Sequence, residues 1–516
     1  MSSNRERMSR TTSTGSSSRD RAATLEGEYD LLRSSVKQAC RTDFLHRGEQ
    51  SEVRDECLIR NDGHLLQVLL NQVQVLQAAY QRQKTDVETA TIKIAYPLSC
   101  QRKATARLIT SVFKYPLAMG GLLSSRHRSL PCFHPGPHSV GCADLMLHDT
   151  NASDSGVYMR VFYPTSEKEL DDKSTNADWL TRQEYLEGLA AYIGQSAVRL
   201  KFVADWLVGE HKCPALWQPS LLPSSSSSIP QQFPLIIYSH GISGCRLFYS
   251  CICSSLASHG YVVAAIEHRD YSAAWTHKIV IEDGIEKDKA YPIRLFGKNE
   301  KYMSTRKQQL SKRVTEVVKT LHILEQLNLG HLLTNEIAKG SEFNWSQFKD
   351  RLNMSSVTLA GHSFGASTAL AACAFSTDFQ AAICLDAWVE PLDKDHFDKI
   401  VQPVVFLNCD KFQWESNVEL MYRVLRKVSE STIFTLEAVH QAFSDFPLFY
   451  PAFARHYLGA ESTVPTSSIH TVTIEMCMAF LDAISKSESI LPRLREIAQR
   501  ETWITENKLQ ERENKL

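Results

Sequence analysis

The sequence has almost no net charge. Lys and Arg number 57, Asp and Glu 58, for a formal net charge of −1. That balance leaves no electrostatic footprint for nucleic acid. A cysteine pattern is missing as well. The 13 cysteines are odd in number and scattered, with no C-x-x-C and no Cys/His cluster at zinc spacing. They read as reduced thiols in a reducing compartment, and the expected metal and cofactor content is none. The opening residues, Met1-Ser2-Ser3-Asn4-Arg5-Glu6-Arg7, carry no apolar core, so no secretory signal is expected. Position 2 is Ser2 rather than Gly, which removes a myristoylation signal. Long apolar runs are absent too. Residues 108–123 come nearest, but Lys114 and Pro116 interrupt them and they are too short to span a bilayer. The expected location is cytoplasmic, with any membrane contact made from a surface. Sequons at Asn151, Asn344 and Asn353 are then chance matches.

What is present is globular: 43% hydrophobic and 22% charged residues over 516 positions, too many for one ordinary domain. Residues 1–25 are rich in Ser, Thr and Arg and are expected to be disordered. Residues 26–125 read as a helical extension. Leu65, Leu66, Leu69, Leu70, Val73, Leu76 and Tyr80 recur there at steps of three and four, forming one apolar stripe. Such a stripe packs on its own domain or binds a protein partner. A Pro- and His-rich edge at 130–137 opens the main domain, expected over 126–485, and 486–516 read as a polar helical tail. The stretch Gly156 to Tyr163 alternates as a strand, which Pro164 is expected to stop. From Tyr185 to Val208 the pattern is helical. Its later part sets Leu200, Phe202, Val203, Trp206 and Leu207 beside Arg199 and Lys201, a combination suited to a membrane interface or to covering a core. Buried-strand runs then alternate with helical segments: FPLIIY (233–238), YVVAAI (261–266), VTLA (357–360), AAICL (381–385), PVVFL (403–407) and TIFTL (432–436). That alternation predicts an α/β fold with a mostly parallel sheet and helices on both faces.

One stretch in this series carries chemistry. Gly361-His362-Ser363-Phe364-Gly365 follows a strand and opens an Ala-rich helix. This is the nucleophile-elbow pattern G-x-S-x-G in the setting it requires. Gly361 and Gly365 are needed because a Cβ at either place would strike the neighbouring backbone. Ser363 needs a base to take its proton and a carboxylate to orient that base. His440, just after the last strand, is the expected base. Asp386 and Asp410 each end a strand, and position alone does not separate them as the acid. The oxyanion hole calls for the amide of Phe364 and one from His240-Gly241-Ile242-Ser243-Gly244, with Ile242 the best candidate.

These residues sit within longer matches. Pro137 to Met146 (PHSVGCADLM), Ser239-His-Gly-Ile242, Leu256-Ala-Ser-His-Gly260, Val263 to Asp270 (VAAIEHRD), Leu385-Asp-Ala-Trp388 and Val439 to Phe446 (VHQAFSDF) accompany the elbow. Over about 131–483 the chain resembles the platelet-activating-factor acetylhydrolases, phospholipases A2 that need no calcium. The resemblance implies an α/β-hydrolase fold, Ser363 as nucleophile and His440 as base. It implies Asp386 as the acid, Ile242 and Phe364 as oxyanion donors, and Trp388 beside the acyl pocket. It implies hydrolysis of a short or oxidised sn-2 acyl group from a phospholipid substrate, with the 198–207 helix at a membrane surface. Ala366 departs from the second glycine common in that elbow, and residues 1–125 are not covered. A general carboxylesterase or lipase of the same fold, and a non-catalytic binding scaffold, are the competing readings.

Overall fold

The structure, a computed structural model, describes residues 128–147, 156–170, 174–194, 211–224, 231–283, 285–297, 301–331, 335–337, 343–449 and 462–507. The expected disordered stretch 1–25, the helical extension 26–125 with its partner-binding stripe, and Leu200, Phe202, Val203, Trp206 and Leu207 lie outside the described residues.

The described chain opens with β1 (Arg128–Ser129), β2 (Ser139–Leu147), β3 (Val157–Thr165), β4 (Asn176–Asp178), α1 (Glu184–Ile193) and β5 (His211–Trp217). β6 (Phe233–Ser239), α2 (Ser250–Ser258), β7 (Val262–Ile266) and a separate hairpin of β8 (His277–Glu282) and β9 (Ile285–Ala290) follow. The long helix α3 (Tyr302–Asn328) leads to β10 (Leu352–His362), α4 (Phe364–Phe375) and β11 (Ala381–Leu385). Then come α5 (Lys394–Lys399), β12 (Val404–Cys409), α6 (Glu415–Lys427), β13 (Thr432–Leu436) and α7 (Phe446–Phe449). α8 (Thr466–Lys486), α9 (Leu491–Arg500) and β14 (Ile504–Glu506) complete it.

β1–β7 and β10–β14 form one twelve-stranded sheet. Its centre runs β7-β6-β10-β11-β12-β13, all parallel. β3 flanks β7 and β14 flanks β13, both antiparallel. Side chains along these strands alternate between two apolar cores. Ile236, Val263, Ile383 and Leu407 face one, with α2 and α8; Leu235, Ala264, Ala382 and Phe406 face the other, with α3 and α4. Both faces are covered, which is why the strands read as unbroken apolar runs. The chain steps from β6 outward to β7, then returns through α3 to β10 on the other side of β6. This reversal makes the carboxyl ends of β6 and β10 a topological switch point, the place where open α/β sheets bind their ligands.

Three expectations change. Pro164 does not stop β3, which runs to Thr165 with Pro164 opposite Val140. β7 pairs with β3 only at 159–162, so the proline lies past that ladder, where its missing N–H costs nothing. The helix from Tyr185 ends at Ile193, because Gly194 takes the left-handed conformation (φ 70°) that closes a helix. The polar helical tail is only partly that. Leu494, Ile497 and Ala498 of α9 are buried, and β14 adds an antiparallel edge to the main sheet. No helix among the described residues is long and apolar enough to cross a membrane.

Candidate active site

β10 ends at His362 and α4 begins at Phe364, leaving Ser363 alone at the turn with φ 58° and ψ −117°. A non-glycine residue there stores roughly 1–3 kcal/mol of strain, which the surrounding contacts must hold. They are close. A Cβ on Gly361 would lie 2.3 Å from the Gly365 carbonyl oxygen, and one on Gly365 would lie 2.0 Å from that of Ser239. The Ser363 amide donates to the Leu385 carbonyl (2.9 Å), and its own carbonyl accepts from Ala366 (3.1 Å) and Trp388 (3.2 Å). Ala366 is fully buried at the helix start, so its methyl is accommodated.

His440 opens a single 3-10 turn, His440–Phe443, just past β13. Its Nδ1 donates to Asp386 Oδ2 at 2.6 Å, so Nε2 holds the lone pair a base needs. Asp386 ends β11 in a left-handed conformation (φ 42°) and is fully buried. Its Oδ1 accepts from the Cys409 amide (3.1 Å) and Gln413 Nε2 (2.6 Å), and Oδ2 also accepts from Cys409 Sγ (2.5 Å). Asp410 is employed elsewhere. One oxygen accepts from the Ala438 amide (3.0 Å) and the other pairs with Lys411 (2.7 Å), tying the ends of β12 and β13 together. Geometry therefore separates the two aspartates that position alone left even. The His440 ring stacks on Phe412, centroids 3.6 Å apart, and lies 4.5 Å from the ring of His362.

A relay of hydrogen bonds runs behind the nucleophile. The Gly241 amide donates to Tyr249 Oη (3.1 Å), that hydroxyl to His362 Nδ1 (3.0 Å), and His362 Nε2 to the His440 carbonyl (2.9 Å). The relay requires neutral His362. Burial, then the nearby His440, pushes His362 well below the usual histidine range. His362, Asp386 and His440 also bring ligand-type atoms within 4.8 Å of one another. Those atoms are already committed to each other and to Tyr249, so the group reads as a hydrogen-bonded relay rather than an open metal site.

The loop after β6 lies against the serine. A Cβ on Gly241 would touch Ser363 Cβ at 3.2 Å and the His362 carbonyl oxygen at 3.3 Å. The Gly241 amide goes to Tyr249, the Ser243 amide to the Ser272 carbonyl (2.8 Å) and the Gly244 amide to the Gly241 carbonyl (3.2 Å). The amides of Ile242 and Phe364 have no partner among the described residues, as donors awaiting an oxyanion require. Arg313 of α3 clamps this loop. Its Nη1 donates to the His240 carbonyl (2.7 Å), Nε to Asp270 (2.9 Å) and Nη2 to Ser272 Oγ (2.5 Å), with the guanidinium 4.5 Å over the Phe364 ring. Below it His268 joins Ser239 Oγ (2.8 Å) to Glu316 (2.6 Å). Burial, then Asp270, pushes Glu316 up to about 8, while burial, then Arg313, holds His268 well below its usual range. The pair is kept in its neutral form.

Trp388 is nearly buried, its ring 5.7 Å from Phe364 and 6.1 Å from Tyr302. The structure thus brings together Ser363, Asp386, His440, Ile242, Phe364, Gly361, Gly365 and Trp388. Reading the sequence missed Cys409, Gln413, Phe412, Tyr249 and Arg313. The run Asn408-Cys-Asp-Lys-Phe-Gln413 beside an expected acid offered a signal for three of them. Arg313, one of two arginines inside a 27-residue helix, offered none.

Comparison with known proteins agrees with this arrangement. Residues 122–489 match the family model of platelet-activating factor acetylhydrolase, isoform II. The chain is 32% identical over 323 residues to platelet-activating factor acetylhydrolase of Gallus gallus, covering 60% of this chain and 73% of that one. It is 35% identical over 315 residues to the enzyme of the same name from Canis lupus familiaris, covering 60% and 67%. Among solved structures, a ferulic acid esterase from Streptomyces cinnamoneus superposes with a TM-score of 0.51 at 18% identity, over 74% of this chain and 99% of that one. That last likeness speaks to the α/β-hydrolase fold alone. With the family match spanning most of the described residues, the chain belongs to the platelet-activating factor acetylhydrolase, isoform II family.

Proposed function

We propose that this chain hydrolyses the sn-2 acetyl or short, oxidised acyl ester of glycerophospholipids, without calcium, through an acyl-enzyme on Ser363. The observation that carries the site assignment is the 2.6 Å contact between His440 and Asp386, beside a strained serine faced by two unpartnered amides. Ser363 Oγ attacks the ester carbonyl as His440 Nε2 takes its proton. The oxyanion receives the Ile242 and Phe364 amides, worth on the order of 3 kcal/mol each. Collapse expels the lysophospholipid alkoxide, which takes the proton from His440, and leaves acetyl-Ser363. Water then gives its proton to His440, attacks the acyl carbon and releases acetate and free Ser363. Asp386 keeps the imidazole in the required tautomer and offsets its charge. Trp388 lines the acyl side.

Acetate release from 2-acetyl-glycerophosphocholine in the presence of a calcium chelator tests this. Wild type is expected to turn over, Ser363→Ala and Asp386→Asn to lose about 10³-fold or more in kcat, and Asp410→Asn to stay within a few-fold. Collapse of Asp410→Asn in place of Asp386→Asn overturns the acid assignment. Turnover of a neutral ester with none of the phospholipid overturns the substrate.

The same reading places the protein in the cytoplasm. Its support is that every cysteine among the described residues is free. Peripheral membrane contact through 198–207 and a protein partner on the 65–80 stripe belong to this proposal as well. Vesicle flotation of Trp206→Asp, and pull-downs comparing full-length wild type with Leu69→Asp, address them separately.

A further inference from the structure

Tyr249 stands at the start of α2 and His362 at the end of β10, immediately before Ser363, and both are buried. Together they carry the relay behind the nucleophile: the Gly241 amide to Tyr249 Oη, that hydroxyl to His362 Nδ1, and His362 Nε2 to the His440 carbonyl. Every donor in the chain points the same way, from the loop after β6 toward the turn after β13. Bonds aligned in this sense polarise and strengthen one another in a low-dielectric interior.

The two ends of the chain lie on the groups that react. Gly241 adjoins Ile242, and Tyr249 takes the Gly241 amide while the Ile242 amide, next along, stays unpartnered among the described residues. His440 is the proposed base itself. The space between is filled. A Cβ on Gly241 would lie 3.2 Å from Ser363 Cβ and 3.3 Å from Tyr249 Oη. The His362 ring lies 5.6 Å from the ring of Tyr249 and 4.5 Å from that of His440. Arg313 grips the same loop at His240 from the α3 side, but none of its contacts among the described residues extends to His440. We propose that Tyr249 and His362 are positioning residues, whose relay holds the oxyanion loop and the base turn in register across Ser363.

Neither side chain touches the reacting atoms. Their effect falls on the transition state, because the oxyanion amides and the base act on charge that develops only there. A relay that sets the placement of those groups therefore changes kcat and leaves KM alone. Bonds made only to satisfy buried polar groups would change stability and leave the kcat of the folded protein as it is. The inference rests on the serine-esterase reading above, though not on its phospholipid substrate.

The test compares full-length wild type, Tyr249→Phe, His362→Asn and the double variant on a soluble neutral acetyl ester, with urea midpoints giving the folded fraction. Tyr249→Phe cuts the relay at the loop. His362→Asn keeps an acceptor near the Nδ1 position but falls short of the His440 carbonyl, and so cuts it at the base. Each single variant is expected to lower kcat about tenfold, with KM within about twofold of wild type. The double variant is expected to lose about the same tenfold, because a chain already cut loses nothing more from a second cut. Losses that multiply to about a hundredfold mean that the two side chains act independently, and they overturn the relay. An unchanged kcat in either folded single variant overturns it too. A fluorophosphonate gives a second readout. Ser363 Oγ displaces fluoride from phosphorus as His440 takes the proton, and the labelling rate is expected to fall in step with kcat; an unaltered rate counts against the relay. If one variant does not fold, the kcat and labelling rate of the other decide alone. Wild type that neither cleaves the ester nor takes the label defeats the esterase reading and the relay with it, whereas active wild type with unimpaired variants defeats the relay only.

Discussion

The Asp386 carboxylate accepts four hydrogen bonds among the described residues: from His440 Nδ1, Cys409 Sγ, the Cys409 amide and Gln413 Nε2. Only the first comes from the proposed base; the rest aim the carboxylate. A hydrogen bond to a charged group contributes about 1.5–3 kcal/mol, and leaving a buried carboxylate short of a donor costs more than the average bond. Gln413→Leu is therefore expected to lower kcat about tenfold or more with KM nearly unchanged, and Gln413→Glu, which sets a second carboxylate against the first, to lower it further. Steady-state kinetics on a soluble acetyl ester checks both. An equal rise in KM would instead mean that Gln413 shapes the substrate pocket. The sequence made Asp386 and Asp410 look alike because both end a strand. What separates them is the direction of each side chain, set by the left-handed turn at Asp386 and by the Ala438 amide waiting for Asp410.

Among the elements, α3 does the least expected work. It reads as a long covering helix, and its Leu310, Val317, Leu321 and Leu324 do pack into the core. Its buried polar residues reach under the sheet ends, Arg313 to the oxyanion loop and Glu316 to His268 and Arg269 after β7. The His268–Glu316 pair makes stability depend on pH. Ordinary glutamate titrates near 4.5, and Glu316 is raised to about 8, so its share of stability is full at low pH and is lost as pH rises through 8. His268 is shifted the other way, and its share is present above the usual 6.5 and lost as pH falls. Together they hold one proton in the folded state where the unfolded chain holds none between about 6.5 and 8. Stability should fall across that window by on the order of 2 kcal/mol from this pair. Glu316→Gln copies the protonated form and should flatten that slope. Urea midpoints of both proteins at pH 6 and 8 check it, and equal slopes would mean the pair does not titrate there.

At the scale of the whole molecule, the sheet is closed at one edge by residues whose sequence reads as a polar helical tail. Leu494 of α9 is fully buried in the core shared with α8, and Ile504 of β14 pairs opposite Leu436. Leu494→Ala is expected to destabilise by about 2–4 kcal/mol, the cost of a buried leucine plus its cavity. Reversible denaturant unfolding checks this, and a loss under 0.5 kcal/mol on the order of a surface change would show the tail to be peripheral. β14 escaped notice because Ile504-Thr-Glu506 is too short for any periodicity, and only the pairing with β13 makes it a strand.

The sequence alone determined the parallel core, since continuous apolar runs are what a sheet covered on both faces demands. It determined the elbow, since two glycines around a serine meet a steric need that few other patterns meet. It singled out His440 as the proposed base, by its place after the last core strand. Tertiary structure alone decided which aspartate meets that histidine, which amides of the β6 loop stay unpartnered, and which distant side chains hold the loop in place. Those outcomes depend on side-chain direction and on contacts such as Arg313 to His240, 73 positions apart, which no local pattern encodes.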